Sequence, residues 1–205
     1  MKFKYKLFWV LSLTALFVGC AVKPTVQVPE EILEQAWQER LNKLAAISEW
    51  KLKGRVAINH VDDSWTASLN WQESEDDQEV RVIAPLGQGT AILKRLENGL
   101  SELRLSNGEV YSGGTASELL QQQLGWRLPV ESLVYWVKGA PDPRYSSTWE
   151  LNQEGGAAMI EQAGWQVEYR KYRFSELYNV DLPAKMYLKK GDWQVKLVVR
   201  SWQGV

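Results

Sequence analysis

Two hydrophobic periods divide the chain. Over residues 30–47 apolar side chains recur at helical spacing: Leu33, Trp37, Leu41 and Leu44 form one stripe, with Glu34, Gln38 and Lys43 elsewhere. Pro29 followed by Glu30 and Glu31 suits a helix start, because the ring presets φ and the acids face the positive end of the dipole. From Trp50 the period becomes two. Trp50, Leu52, Gly54, Val56 and Ile58 alternate with Lys51, Lys53, Arg55 and Ala57, and then Trp65, Ala67, Leu69 and Trp71 alternate with Thr66, Ser68, Asn70 and Gln72. Further alternating runs cover 79–84, 89–97, 100–105, 109–112, 148–153, 157–163, 165–172, 182–190 and 192–200, which predicts eleven strands in all. Asn98-Gly99 and Asn107-Gly108 mark tight hairpins. Two short helices interrupt the strands. Thr115-Ala116-Ser117-Glu118 has the capping-box pattern ahead of Leu119, Leu120 and Leu124, and 130–138 carries Leu133, Val134, Trp136 and Val137 before Gly139.

The expected fold class is therefore mainly β with a helical lid. A long antiparallel meander curls into a barrel or half-barrel. One face of these strands is apolar and rich in Trp, and few helices are available to cover it. The expectation is a hydrophobic cavity on the concave face, lined by candidates Trp50, Leu52, Val56, Ile58, Trp65, Leu69, Trp71, Trp136, Trp165 and Val167. For any one Trp, simple core filling is the competing reading.

The N-terminus reads as an address. Lys2, Lys4 and Lys6 precede a short apolar run, Leu7 to Phe17, which is too brief to span a bilayer of about 20 residues. It ends at Val18-Gly19-Cys20, the pattern of a bacterial lipobox, in which cleavage before the Cys exposes it for acylation; Phe17 stands where Leu is usual. Residues 1–19 are thus expected to be a lipoprotein signal peptide, 20–29 a lipidated tether, and 30–205 a single domain. Losing residues 1–19 removes three lysines and no acid, taking the formal charge from −1 to −4.

Composition trims the remaining function classes. A net charge of −1 argues against a nucleic-acid partner. One Cys excludes a disulfide framework, and one His leaves His60 as the sole candidate for His-dependent chemistry. His60 lies beside Asp62 and Asp63 in an expected hairpin turn and reads as a solvated turn residue; the acidic stretch Glu73 to Asp77 reads the same way. There is no P-loop, nucleophile elbow or zinc-protease motif, so no catalytic residue, metal or cofactor is expected. Arg170, Lys171 and Arg173 form a basic cluster that suits an acidic carrier surface, lipid headgroups or a solvated strand edge. In the turn Pro85-Leu86-Gly87, a Leu sits where turn tips are polar.

Several segments together resemble the LolB family of outer-membrane lipoprotein receptors. They are the lipobox at Cys20, Leu52-Lys53-Gly54-Arg55, Ser68-Leu69-Asn70-Trp71, Pro85-Leu86-Gly87-Gln88-Gly89-Thr90-Ala91, Leu124-Gly125-Trp126-Arg127-Leu128-Pro129-Val130, Tyr135-Trp136-Val137-Lys138-Gly139, Gly164-Trp165-Gln166-Val167-Glu168-Tyr169, Leu182-Pro183 and Leu197-Val198-Val199-Arg200-Ser201-Trp202. The resemblance implies an unclosed antiparallel β-barrel with helices over an apolar cavity. It implies an acceptor, not an enzyme: triacylated lipoproteins arrive from a LolA-like periplasmic carrier, their acyl chains enter the cavity, and they are inserted into outer-membrane phospholipid without ATP. It also implies a monomer lipid-anchored through Cys20 at the periplasmic face of the outer membrane, and membrane insertion through Leu86. Absence of Asp after Cys20 agrees with outer-membrane sorting in that family. The alternative is a half-barrel lipoprotein that binds a free lipid or glycolipid.

Overall fold

The computed structural model describes residues 28–61, 63–75, 77–87 and 89–205. The expected signal peptide, Cys20, and the tether up to residue 27 lie outside the described residues, as do Asp62, Asp76 and Gln88. The described residues open with α1 (Glu30–Ala45), followed by β1 (Trp50–His60), β2 (Asp63–Glu73), β3 (Gln78–Ile83), a 3-10 turn (Pro85–Gly87), β4 (Thr90–Arg95), β5 (Ser101–Leu105) and β6 (Val110–Gly113). Two helices follow, α2 (Ala116–Leu124) and α3 (Val130–Trp136), then β7 (Ser147–Leu151), β8 (Ala157–Gln162), β9 (Trp165–Ser175), β10 (Val180–Lys190) and β11 (Trp193–Gln203). Among the described residues, the eleven strands and three helices fall where the two periods place them.

All eleven strands form one antiparallel sheet in the order β6-β5-β4-β3-β2-β1-β11-β10-β9-β8-β7. The first and last strands meet in the middle, with Val56 opposite Leu197 and Ala57 opposite Lys196. The edges are β6 and β7, the two strands on either side of the helical excursion. The barrel is therefore unclosed, as expected. Eleven twisted strands curl without closing, and α2 and α3 lie across the open side.

At the seam between β1 and β11 the register slips between Lys53 and Gly54. A Cβ on Gly54 would stand 2.5 Å from the carbonyl oxygen of Val198, so only glycine lets the two strands approach there. Pro183 sits inside β10 without breaking the sheet, because β10 pairs with β11 only from Lys185 onward and its pairing with β9 shifts register beside Pro183.

The helices keep their sequence signals. Both bonds of the capping box are present at α2: Glu118 N donates to Thr115 Oγ1 (3.2 Å), and Thr115 N donates to Glu118 Oε2 (2.8 Å). On α1, Trp37 and Leu44 are fully buried. Trp37 packs on Trp149 of β7 at 5.8 Å, and Ala36 meets the turn at Gly155, where an added Cβ would come within 2.6 Å. Arg40 lies over the Tyr172 ring at 4.8 Å and donates to the Asp181 carbonyl. Lys138 is buried and donates to the carbonyl of Ile47 (2.9 Å), where the chain leaves α1; burial pushes its pKa below the usual 10.5.

One polar reading is corrected. Glu73 is not part of a solvated turn; it is buried at the end of β2. It accepts from Gln78 Nε2 (2.6 Å), Trp71 Nε1 (3.2 Å) and Arg95 Nη1 (3.3 Å). Burial raises its pKa above the ordinary 4.5, and these donors oppose the rise. Arg95 lies 22 residues away in sequence, so local composition carries no hint of the pair.

Candidate functional site

The concave face of the sheet holds a cavity of about 80 Å³ whose lining is entirely aliphatic or aromatic. Its floor is Val56 and Ile58 of β1, Leu69 and Trp71 of β2, Val80 and Val82 of β3, Ala91 and Leu93 of β4, and Leu103 of β5. Leu188, Val195 and Leu197 extend it onto β10 and β11. The roof is Leu120 of α2, Trp126 and Leu128 from the connection, and Val130, Leu133 and Val137 in and after α3. Each floor residue occupies an inward position of the period-two pattern; Val56, Ile58 and Leu69 alternate with exposed or half-buried Arg55, Asn59 and Ser68.

Of the ten candidate lining residues, the structure brings four to this cavity: Val56, Ile58, Leu69 and Trp71. The other six sit elsewhere. Trp50 is fully buried between Trp71 (5.2 Å) and Trp202 (5.3 Å), and Leu52 is buried two residues along the same strand. Trp136 points the other way from α3 and donates to Gln162 Oε1 (2.8 Å), with Trp165 at 6.4 Å and Val167 fully buried nearby. Trp65 is half-buried against Trp126, ring centroids 5.8 Å apart. The physical reason is shape. Trp136 fills the space where α3 meets the sheet and satisfies its donor there, and Trp50 is packed among other indoles at the start of β1, while the empty space is lined by Val, Leu, Ile and Ala with Trp71 and Trp126. Sequence reasoning missed the lining of β3, β4 and β5 and the roof residues Trp126 and Leu128. The alternating runs at 79–84 and 89–97 held the signal for the floor; the roof has none in a single sequence.

The two roof helices are held differently. A buried network fixes α3: Ser132 Oγ donates to Asp142 Oδ2 (2.8 Å), Asp142 N donates to Gln162 Oε1 (2.8 Å), and Tyr169 Oη donates to the Trp136 carbonyl (2.9 Å). Burial works to raise the Asp142 pKa, but the Arg144 guanidinium at 2.7 Å and the bonds from Arg144 N and Ser132 outweigh it and hold the carboxyl below its usual 3.8. By contrast α2 is tied to the head of α3 through Ser117, whose hydroxyl accepts from Val130 N (2.9 Å) and donates to Glu131.

The loop singled out in the sequence stands apart from the cavity. Leu86 is 97% exposed and has left-handed backbone angles (φ 56°, ψ 25°). A branched non-glycine residue in that region is strained by about 1 kcal/mol or more. The turn is closed below it by Ala84 N donating to the Gly89 carbonyl (2.9 Å), and Pro85 beside it is exposed. His60 ends β1 stacked on Trp193 at 4.2 Å and is half-buried, so it is not the freely solvated turn residue expected.

The open antiparallel half-barrel with helices over an apolar cavity is a fold shared with a solved LolA superfamily protein from Nitrosomonas europaea, which superposes with a TM-score of 0.56 over 82% of this chain and 93% of that one, at 8% identity. Sequence narrows the class. Residues 48–202 match the family model described as outer membrane lipoprotein LolB. The outer-membrane lipoprotein LolB of Pseudomonas savastanoi pv. phaseolicola is 37% identical over 195 residues, covering 95% of this chain and 94% of that protein. The protein of the same name from Pseudomonas aeruginosa PAO1 is 34% identical over 201 residues, 98% and 97% of the two chains. The chain belongs to the LolB family.

Proposed function

We propose that this chain is an outer-membrane-anchored acceptor that takes lipoproteins from a LolA-type periplasmic carrier, holds their acyl chains in the concave cavity and inserts them into outer-membrane phospholipid. Residues 1–19 are its signal peptide, Cys20 its acylated anchor, 20–29 its tether, and 30–205 its one working domain. It acts as a monomer and as a carrier of lipid, not as an enzyme. The observation that carries this reading is the wholly apolar cavity under a helical roof in a chain of the LolB family.

The physics asks little of each step. Burying an acyl chain is worth about 0.8 kcal/mol per CH₂, and about 1.4 kcal/mol shifts an equilibrium tenfold. A slightly better fit here than in the carrier is enough, and no nucleotide is needed. The cavity of about 80 Å³ is smaller than the roughly 150 Å³ that holds a benzene molecule, so it must widen to admit acyl chains. With α3 fixed by Asp142 and Gln162, widening falls to α2 and the connection bearing Trp126. Leu86, exposed on a strained turn, serves delivery: its side chain enters lipid and contributes nothing to the cavity.

The test uses the chain beginning at Ala21, mixed with a carrier–lipoprotein complex. Wild type and Leu86→Glu both take the lipoprotein from the carrier in a pull-down, and only wild type passes it on to liposomes. A folded wild type that receives nothing from a competent carrier overturns the reading.

A further inference from the structure

The outer face of the sheet is charged very unevenly. Three cations lie on each of β1 and β9 and two on each of β10 and β11, against Glu168 on β9 and Asp181 on β10. These four strands are neighbours in the order β1-β11-β10-β9, so their cations form one field. Register places Arg55 opposite Val198 and Val198 opposite Lys185, while Lys196 stands opposite both Ala57 and Tyr187. The residues between them, Val56, Leu197 and Met186, are the inward ones. In this field Glu168 pairs with Arg170 at 2.7 Å, and the ammonium groups of Lys185 and Lys196 lie 5.4 and 5.9 Å from the Tyr187 ring centroid. The whole chain has a formal charge of −1, so this basicity is local; α1 alone carries Glu30, Glu31, Glu34 and Glu39.

We infer that this convex face is an electrostatic docking surface for an anionic phospholipid bilayer. The inference rests on the membrane-anchored acceptor reading and adds to it a face and a posture. A protein partner is anchored by buried aromatic or aliphatic side chains at the centre of its site. Here the centre is Ala57, Val198 and a Tyr187 already flanked by two ammonium groups, with cations in every direction. A bilayer of anionic headgroups asks only for charge density. Each Lys or Arg near such a surface is worth roughly fivefold in binding, and the effect dies within a Debye length. One acyl anchor plus a basic patch is a recognised two-signal way to hold a protein at a membrane. Because side chains alternate across a strand, a bilayer held by Arg55 and Lys196 leaves the Val56 and Leu197 side, and so the cavity, turned away from lipid and open to incoming cargo.

The chain beginning at Ala21 retains every element from α1 to β11, and it is incubated with vesicles of phosphatidylcholine alone or mixed equally with phosphatidylglycerol, then sedimented. The expected result at about 10 mM salt is at least tenfold tighter binding to the anionic vesicles, lost at about 150 mM. The triple variant Arg55→Glu, Lys189→Glu, Lys196→Glu changes three exposed residues and loses on the order of 100-fold, with an unchanged near-ultraviolet Trp spectrum and unchanged uptake of cargo from the carrier. Equal binding to both vesicle types, or undiminished binding by the folded variant, overturns the inference. So does a variant that binds anionic vesicles normally but no longer receives cargo, since the face would then dock the carrier. Wild type that binds anionic vesicles yet receives no cargo sinks the acceptor reading and leaves the face standing.

Discussion

The concave side of this sheet has a filled half and a hollow half. Over β7 to β10 the sheet is plugged: Trp37 of α1, Trp136 of α3, Ile160, Val167, Leu182 and Met186 are all fully buried. Over β3 and the start of β4 the inward side chains are smaller and looser. Val80, Val82 and Ala91 are only half-buried, and they face the cavity. The same alternation of apolar and polar residues builds both halves. The difference lies in what the sheet is given to pack against: helices bearing fully buried Trp37 and Trp136 on one side, and a thin roof of Leu, Val and half-buried Trp126 on the other. Stability and ligand space are thus assigned to different strands of one sheet.

That division is open to attack, most strongly in the filled half. Trp136→Ala removes a fully buried indole and its bond to Gln162, and is expected to cost about 3–5 kcal/mol in urea unfolding. A loss below about 1 kcal/mol would show that this half is not the stabilising one. Asp142→Asn breaks the network that fixes α3, at about 2–3 kcal/mol at neutral pH. Its pH dependence has a definite sign. A carboxyl held below 3.8 in the fold contributes stability that is complete above that value and is lost as pH falls through the lowered one. The gap between wild type and Asp142→Asn should therefore narrow in acid, and unfolding curves at neutral and acid pH would reveal a gap that instead stays constant. At the seam, Gly54→Ala sets a Cβ against the Val198 carbonyl and costs about 1–3 kcal/mol, measured as a shift of the denaturant midpoint. In the hollow half, Ala91→Leu fills the cavity from its floor. Stability should change by less than about 1 kcal/mol while binding of an apolar fluorescent probe falls severalfold. Unchanged probe binding would place the ligand space elsewhere.

Much of this architecture was legible in the chain. Period-two runs marked the strands because each buries one face and wets the other, and the Thr115–Glu118 box marked α2 because it is a local bond. Which Trp fill and which line was not legible. Trp136 lies in a short apolar helical stretch and Trp71 in an alternating strand, but neither pattern says which faces empty space; only the packing of α1 and α3 onto β7–β10 separates them. The Asp142–Gln162 network was invisible for a similar reason: its members lie 20 residues apart in a loop and an edge-side strand, with no period to betray them. The basic face was half visible. Lys51, Lys53 and Arg55 alternate openly in sequence, but nothing local reveals that β1 lies beside β11.

The left-handed backbone at Leu86 carries a consequence of its own. A residue that is almost wholly in water and strained contributes nothing to folding, so Leu86→Gly should leave the melting temperature unchanged or raise it by the equivalent of at most about 1 kcal/mol. If delivery into lipid fails in that variant, a gain in robustness and a loss of purpose would come from the same atoms. Screens that select this chain for thermal tolerance alone would then discard the one side chain that lets it part with its cargo.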